Sequence, residues 1–341
     1  RIYSYYGLGT INIIKENPYV LMDHIEGIGF KRADEIGLKI GFKYDSPLRI
    51  SAVIYYLMNE YMNKFGDTYL EKSQLIEYTL KFLNSGIEKE VSEDLVVEQI
   101  NALTEIGKLI NLDDQMALKY IYNSEKILAS RVMKINDAKA KGIEEDVFDK
   151  LIDDFQALND ISYTKAQKRA IYQALNNNFT IITGGPGTGK TTVIKGIVSL
   201  YNWLHNHRFN EEDIKLAAPT GKAAKRLSEA TGYKATTVHK LLGYDFEGVF
   251  KYDEYNQLNA EMLIVDEASM LDCLLANKLF TAVSLNTKVI MVGDANQLPS
   301  VGPGDVLNNL ITSDLFSVVE LDVIHRQASD SHIISLAYDI L

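Results

Sequence analysis

Cysteine is scarce in this sequence and long apolar runs are missing, and these two features narrow the class of protein. Cys273 is the only cysteine among 341 residues, so no internal disulfide can form, and we expect it to be a small core residue on a helix. No apolar run approaches the roughly 18 residues of a membrane span, and the first residues lack the basic-then-apolar pattern of a signal peptide. We therefore expect a cytoplasmic protein that does not use a membrane.

Lysine and arginine are also fewer than aspartate and glutamate. The chain carries 35 lysine and arginine residues against 46 aspartate and glutamate residues, which gives a net charge of -11. This balance argues against a general nucleic-acid binder, because such proteins usually present a basic face. A local basic groove is still compatible with it. The length of 341 residues predicts about two domains, or three.

The strongest motif that is present is a glycine-rich loop between an apolar strand and a predicted helix. Residues 184–191 fit the pattern GxxxxGK[ST] in the strand-loop-helix context that a phosphate-binding loop requires. The glycines let successive backbone N–H groups converge on one anion at a helix N-terminus. Lys190 can then reach the β- and γ-phosphates, and the Thr191 hydroxyl can ligate Mg²⁺. A chance glycine-rich turn is the alternative.

The loop therefore predicts binding of a nucleoside triphosphate, with ATP and Mg²⁺ as the ligands. The predicted nucleotide-binding residues of the loop are Gly185, Pro186, Gly187, Thr188, Gly189, Lys190, Thr191 and Thr192.

Near the N-terminus, residues 21–36 predict two helices joined by a glycine hairpin. Apolar residues are spaced to pack the helices together, and Gly27 and Gly29 form the turn. The pattern resembles a helix-hairpin-helix, in which backbone amides contact a nucleic-acid phosphate without reading its sequence. Lys31 and Arg32 lie where they could reinforce that contact. A plain helical hairpin with a glycine turn is the alternative.

Residues 46–123 predict three helices followed by a hairpin, which suggests a winged-helix-like module. The hairpin is expected to have strands at 108–112 and 116–122 around a turn at residues 113–114. No basic recognition helix is evident, so a scaffold or positioning role is favoured over DNA binding. The charge-rich helical stretch 124–160 is interpreted as a connector.

From Ile161 onward short apolar strands alternate with helices, which predicts a parallel sheet in a three-layer α/β domain. The predicted strands are 179–183, 214–218, 262–265 and 288–292. Ligands in open α/β sheets bind beyond the carboxyl ends of the strands. We therefore expect the residues that follow these strands to form the active site.

Two of these strands are followed by residues suited to ATP hydrolysis. Asp266 comes directly after a strand and is suited to hold Mg²⁺ through its water shell, while Glu267 can orient and deprotonate the attacking water. Such a pair could also cap a helix, but it is more specific about 75 residues after a phosphate loop. Gln297 follows the next strand, where its amide could sense the γ-phosphate and the attacking water.

The order of these motifs resembles that of superfamily 1 helicases, most closely the RecD-like branch that translocates 5′ to 3′. The motifs are the phosphate loop, Asp266-Glu-Ala-Ser269, Gly293-Asp-x-x-Gln-Leu-Pro299 and Ile324-His-Arg-Gln327. The Gly27-Ile-Gly-Phe30 hairpin is similar to that of the stand-alone RecD-like proteins rather than the nuclease-complex subunit. The resemblance covers nearly the whole chain.

The resemblance implies an α/β P-loop NTPase with a RecA-like parallel sheet flanked by helices, preceded by a mainly α N-terminal region. The expected domains are the helix-hairpin-helix region 1–45, the winged-helix-like module 46–123, the connector 124–160 and the first RecA-like motor domain 161–341.

The resemblance also implies roles for further residues. Gln167 matches the family glutamine that reads adenine, with an exposed helix glutamine as the alternative. Arg326 matches the arginine finger that reaches the γ-phosphate, a role worth about 10³–10⁵ in rate. His239 could be a DNA contact or a core histidine. The residues expected to grip single-stranded DNA are Thr220, Lys222, Thr237 and His239, with Lys225 and Arg226 as electrostatic support.

The implied function is an ATP-dependent DNA helicase that moves 5′ to 3′ along single-stranded DNA. Its nucleic-acid partners would be single-stranded DNA and junctions of single- and double-stranded DNA. Single-strand-binding protein or other repair proteins are further candidate partners. The alternative is a nucleotide-gated DNA-binding or regulatory module without productive unwinding. Such a switch needs no positioned water, which is why Glu267 and Gln297 favour the enzyme. A clamp-loader type of ATPase is disfavoured by the Gln-Leu-Pro and His-Arg-Gln motifs.

The chain starts at Arg1 rather than at Met and stops at Leu341 within a predicted helix, so we expect a fragment of a longer protein. Motors of this family bind ATP between two RecA-like domains, and only the first is expected here. We therefore expect weak ATP binding and slow hydrolysis by these residues alone, because half of the electrostatic stabilisation of the transition state is missing.

Overall fold

A computed structural model describes residues 2–25, 27–85, 90–138, 142–205 and 212–322 of the chain. These residues form two compact units, which divide between Asn123 and Ser124. The finer division at residues 45 and 160 stays a prediction. None of the helices in the described ranges is both long enough and apolar enough to cross a lipid bilayer.

The first unit is mainly helical. Its N-terminal part contains α1 (Ile2–Tyr6), α2 (Thr10–Glu16), α3 (Leu21–His24) and α4 (Phe30–Lys39). Its second part contains α5 (Pro47–Phe65), β1 (Leu70–Glu71), α6 (Lys72–Leu83), α7 (Glu93–Glu105), β2 (Leu109–Leu112) and β3 (Gln115–Leu118). The strands β1 and β2 both pair antiparallel with β3. Three helices with a small three-stranded sheet are the winged-helix-like arrangement that the sequence predicts.

The second strand of the predicted hairpin is too long at its C-terminal end. Residues 119–122 belong to α8 (Lys119–Asp137), which begins directly after β3. The reason is a helical burial pattern, since Ile121, Leu128, Val132 and Ile135 are all buried. The apolar residues at the end of β3 are followed directly by those at the start of α8. The predicted strand therefore included the first turn of the helix.

The second unit is built on a parallel sheet. Its remaining elements are α9 (Glu145–Asn159), α10 (Lys165–Asn176), β4 (Phe179–Gly184), α11 (Lys190–Leu204), β5 (Ile214–Ala218), α12 (Gly221–Thr231), β6 (Ala235–Thr237), α13 (Val238–Leu241), β7 (Met262–Val265), α14 (Cys273–Ala282), β8 (Lys288–Gly293), α15 (Val306–Thr312) and β9 (Ser317–Leu321). The six strands lie in the order β6-β5-β7-β8-β4-β9, and every pair is parallel. The four predicted strands are confirmed.

Both faces of this sheet are covered, as expected for a parallel sheet. Alternate residues of one strand, such as Met262 and Ile264, contribute to a core with α10 and α11. On the other face, the Phe179 ring packs 5.9 Å from the ring of Phe280 in α14, measured between centroids. Cys273 is buried on α14, as predicted. The three-layer α/β fold is confirmed.

The helix α9 has a larger role than the connector that its charge suggests. Phe148, Ile152 and Phe155 follow one face of α9 at helical spacing and lie in the core of the second unit. Its acidic residues occupy the other face. The helix is therefore an integral part of this domain's packing.

Candidate nucleotide-binding site

The glycine-rich loop joins β4, which lies between β8 and β9 in the sheet, to α11. Gly187 and Gly189 adopt φ values of +80° and +85°, which a residue with a side chain adopts only at a cost. Thr188 is buried between them, and its hydroxyl donates a hydrogen bond of 2.9 Å to the carbonyl oxygen of Gly185. The loop is thereby folded back on itself, and Gly189 starts α11 so that the first N–H groups of the helix face the loop.

Lys190 lies over this loop. Its Nζ atom donates to the carbonyl oxygens of Gly184 and Gly185, the latter at 2.9 Å. Burial lowers the pKa of Lys190, and the negative charges of Asp294, Glu267 and Asp266 oppose that shift. The ammonium group is thus surrounded by carbonyl oxygens and carboxylates, which is an environment that holds a cation beside a phosphate site.

A cavity of about 420 Å³ opens in front of the loop. It brings together residues from the ends of three neighbouring strands, β4, β7 and β8, as the parallel topology requires. Four of the predicted catalytic residues, together with the predicted Mg²⁺ ligand Thr191, line it; the four are Lys190, Asp266, Glu267 and Gln297. The rest of its lining is Pro186, Gly187, Thr188, Gly189, Thr192, Ala223, Arg226 and Leu227.

The two carboxylates after β7 occupy different environments. Burial raises the pKa of Asp266 to about 6, and the neighbouring charge of Glu267 adds to the rise, while Lys190 and Arg226 act against it. Glu267 has a φ value of +53°, a left-handed conformation that is uncommon for a residue other than glycine. Such conformations concentrate at functional sites, where the surrounding structure compensates their cost.

Gln297 is positioned by a second side chain. The Ser269 hydroxyl donates a long hydrogen bond of 3.5 Å to the Oε1 atom of Gln297. Ser269 itself is buried in the short 3₁₀ helix Ala268–Met270 that follows Glu267. The motifs that follow β7 and β8 are therefore in direct contact.

Gln167 is almost completely buried, with a relative exposure of 1 %, so the alternative of an exposed helix glutamine is wrong. The Thr164 hydroxyl accepts from the N–H of Gln167, and the Gln167 side chain accepts from the N–H of Thr164, which forms a capping box at the start of α10. Its Nε2 atom also donates to the carbonyl oxygen of Thr188 at 3.4 Å. Gln167 is thus tied to the phosphate loop itself.

Two groups at or near the cavity were not assigned to the nucleotide from the sequence. Asp294 is buried directly after β8, and its charge raises the pKa of Lys190. It could have been found, because it belongs to the same motif as Gln297. Arg226 was assigned to DNA, yet it lines the cavity. The rotation of α12 about its axis decides whether Arg226 lines the cavity, and the sequence alone does not give that rotation.

The predicted DNA-gripping residues lie beside this cavity, at the carboxyl ends of β5 and β6. Thr220 and Thr237 begin α12 and α13, where each hydroxyl accepts a backbone N–H as a helix cap. The two segments are brought together by the pairing of Ala218 with Thr237. Lys222 is exposed on the first turn of α12.

His239 is exposed, so the alternative of a core histidine is wrong. Its ring lies 5.3 Å from the ring of Tyr244 and 6.0 Å from that of Phe250, measured between centroids. An exposed aromatic cluster of this kind suits stacking with a base.

In the first unit, the predicted hairpin has the expected turn. Gly27 has a φ value of +83° and Gly29 is the residue before α4. Lys31 is exposed. The Arg32 side chain donates to the carbonyl oxygen of Gly27 at 2.8 Å, so it braces the turn. Arg326 lies outside the described residues.

The oxygen donors of the cavity fit a hard divalent cation. Thr191 and Asp266 both line it, and Mg²⁺ usually takes only one or two protein ligands and completes its shell with phosphate oxygens and water. No group of three or more histidine, cysteine or acidic side chains that could hold a metal by itself occurs in the described ranges. The donor set therefore suits a cation that arrives with its nucleotide.

A phosphate loop on an interior strand of a parallel sheet, facing carboxylates that follow a nearby parallel strand, defines a P-loop nucleotide-binding domain of the RecA-like type. Comparison with known families agrees with this class. A family model described as an AAA domain matches residues 167–303, which include all of the cavity residues. A second model, described as the ATP-dependent RecD2 DNA helicase HHH domain, matches residues 1–69.

Curated proteins are also similar to this chain. The ATP-dependent RecD2 DNA helicase of Deinococcus radiodurans is 29% identical over 351 residues, which cover 100% of this chain and 47% of that protein. The RecBCD enzyme subunit RecD of Haemophilus influenzae is 40% identical over 169 residues, or 43% of this chain and 26% of the relative. The chain belongs to the RecD-like proteins of helicase superfamily 1 and has an N-terminal helix-hairpin-helix region of the RecD2 kind. It spans less than half the length of these curated relatives.

Solved structures of Pif1 helicases are also similar. The Candida albicans enzyme is 20% identical with a TM-score of 0.39, over 53% of this chain and 44% of that one. A Pif1 structure described as unwinding forked double-stranded DNA is 25% identical with a TM-score of 0.36, over 53% of this chain and 48% of the other.

Proposed function

We propose that the protein containing this chain is an ATP-dependent DNA helicase that moves 5′ to 3′ along single-stranded DNA. The observation that carries the proposal is the single cavity in which Lys190 and Thr191 face Asp266, Glu267 and Gln297. A site that only binds nucleotide needs Lys190 and Thr191. A site that hydrolyses ATP also needs groups that orient and activate a water molecule.

The roles follow from position and chemistry. Lys190 neutralises the β- and γ-phosphates, and Mg²⁺ held beside Thr191 and Asp266 would stabilise the charge that develops on the phosphates. Glu267 accepts a proton from the attacking water, because it is the carboxylate next to Asp266 that is not needed as a cation ligand. Gln297, held by Ser269, orients that water. Gln167 reads the adenine and Arg326 completes the charge stabilisation.

DNA would lie along the adjacent edge of the sheet. Thr220 and Thr237 begin two helices at that edge, with Lys222 and the aromatic cluster of His239 beside them. A backbone contact from the threonines and lysine together with base stacking on an aromatic group is a sequence-independent way to hold a single strand. The hairpin residues Gly27, Gly29 and Lys31 would contact a further phosphate. Junctions of single- and double-stranded DNA, and single-strand-binding or repair proteins, are the proposed partners.

The other candidate function is a nucleotide-gated DNA-binding module that does not unwind DNA. The left-handed conformation of Glu267 argues against it, because a binding switch gains nothing from a catalytic carboxylate held at a cost. The direction of movement rests on resemblance to the RecD-like family alone.

The proposal is tested with the full-length protein on duplexes that have a 5′ tail, a 3′ tail or blunt ends, with and without ATP. We expect strand separation only from the 5′ tail and only with ATP. The Glu267→Gln variant is the matched control, because it removes the proposed base while keeping the shape of the side chain. It should bind ATP but lose DNA-stimulated turnover by about a hundredfold or more.

The outcomes separate the parts of the proposal. Unwinding from the 3′ tail would overturn the direction only. ATP turnover that Glu267→Gln leaves intact would remove the chemistry on which the enzyme assignment depends and would favour the binding module.

A further inference from the structure

Arg226 lies on the face of α12 that is turned toward the nucleotide cavity. Ala223, Arg226 and Leu227 all line the cavity, and their spacing of three and four residues places them on one side of the helix. Lys225 is exposed and pairs along the helix with Glu229, with 3.8 Å between Nζ and the carboxylate. Both basic residues are exposed, but of the two only Arg226 lines the cavity.

The charge of Arg226 acts on the groups inside the cavity. The guanidinium, Lys190 and Asp266 line the same cavity, so its positive charge acts on both. No hydrogen bond or ion pair to any of the described residues holds it. An arginine with free donors at the rim of a phosphate cavity has the geometry to bind two phosphate oxygens at once.

We propose that Arg226 binds the phosphate chain of the nucleotide rather than DNA. This inference rests on the proposed function, because it assumes that the cavity takes a nucleoside triphosphate. Lys190 approaches the phosphates from the loop, and Arg226 approaches them from α12 across the cavity. The same helix begins at Thr220, at the edge proposed for DNA, so one rigid element contacts both ligands.

The experiment compares Arg226→Gln and Arg226→Lys with the full-length wild type. Lys195→Gln is the charge-matched control, because Lys195 is exposed on α11 and does not line the cavity. Binding of a fluorescent ATP analogue with Mg²⁺ is measured without DNA. We expect Arg226→Gln to raise the dissociation constant about tenfold or more, Arg226→Lys to retain part of the affinity and Lys195→Gln to match the wild type.

A second measurement separates phosphate binding to the nucleotide from phosphate binding to DNA. The salt dependence of binding to oligo(dT) is measured without nucleotide. If Arg226 contacted DNA, its loss would reduce the slope of log K against log salt by about 0.7. We expect the slope of Arg226→Gln to equal that of the wild type.

A reduced slope with unchanged ATP affinity would overturn the inference, and so would unchanged values in both measurements. Circular dichroism melting of each variant shows whether it folds, and a retained affinity in Arg226→Lys would exclude a folding defect at this position as the cause. Wild-type protein that binds no ATP would instead refute the proposed function itself.

Discussion

At the scale of single residues, the buried carboxylate of Asp266 lowers the stability of the folded protein at neutral pH. A carboxylate buried beside a second carboxylate is unfavourable, and this is why its pKa rises to about 6. The folded state then binds a proton more tightly than the unfolded state does. The contribution of this group to stability is greatest below its ordinary pKa of about 4 and falls as the pH rises through 6.

We therefore expect Asp266→Asn to stabilise the nucleotide-free protein relative to the wild type, and to do so more at pH 7.5 than at pH 5. The shift corresponds to roughly 3 kcal/mol at neutral pH, of which roughly half is already present at pH 5. Urea unfolding at the two pH values measures it. Turnover of ATP should be lost, because the cation loses its carboxylate.

Asp314→Asn is the control for this pH dependence. Asp314 is exposed in the same unit and has a left-handed backbone that asparagine tolerates. It should change stability equally at both pH values. An Asp266→Asn advantage that did not grow with pH would show that the buried charge costs nothing.

At the scale of secondary-structure elements, a buried ion pair joins α4 to α5 within the first unit. The Arg49 guanidinium on α5 contacts the Asp34 carboxylate on α4 through two hydrogen bonds, of 2.8 Å and 3.0 Å. The Tyr19 hydroxyl donates to the same carboxylate at 2.8 Å. Asp34 and Arg49 have relative exposures of only 9% and 5%. This pair fixes the packing of α4 on α5.

We expect Asp34→Asn to destabilise the first unit by about 3 kcal/mol or more, because it leaves a buried guanidinium without its counter-charge. Thermal unfolding followed by circular dichroism measures the loss. The neighbouring Glu35 offers a matched control, since its ion pair with Lys39 is exposed to solvent. Glu35→Gln should leave the melting temperature unchanged, because exposed pairs contribute little. Equal losses in both variants would contradict the assignment.

At the scale of the whole molecule, the described nucleotide cavity belongs entirely to the second unit. Ligand binding stabilises the elements that form the site by mass action, by about 2.7 kcal/mol at a hundred times the dissociation constant. The helices α5, α6 and α7 lie in the other unit and contribute nothing to the cavity lining.

Hydrogen exchange with and without Mg²⁺ and ATP analogue tests this division. We expect slower exchange in β4, α11 and β7, and no change in α5, α6 and α7. Equal slowing in both units would show that they respond to nucleotide as one cooperative body.

The sequence by itself determined the phosphate loop, four strands of the large sheet and the order of the motor motifs. The reason is local: a turn with left-handed glycines at 187 and 189, and a short apolar strand before it, are encoded by contiguous residues. The family could be predicted for the same reason, because its motifs are contiguous. The short strands β6 and β9 were not predicted, since β6 has only three residues and neither is a continuous apolar run.

Only the tertiary structure decided which side chains meet. Arg226 lines the nucleotide cavity, because α12 is rotated so that Leu227 is buried in the core of the second unit. Phe148 and its neighbours make α9 part of the domain core, although the charge of the helix suggests a connector. Both outcomes depend on the rotation and packing of helices against a shared sheet. These long-range contacts are set by the whole core, so no short stretch of sequence encodes them.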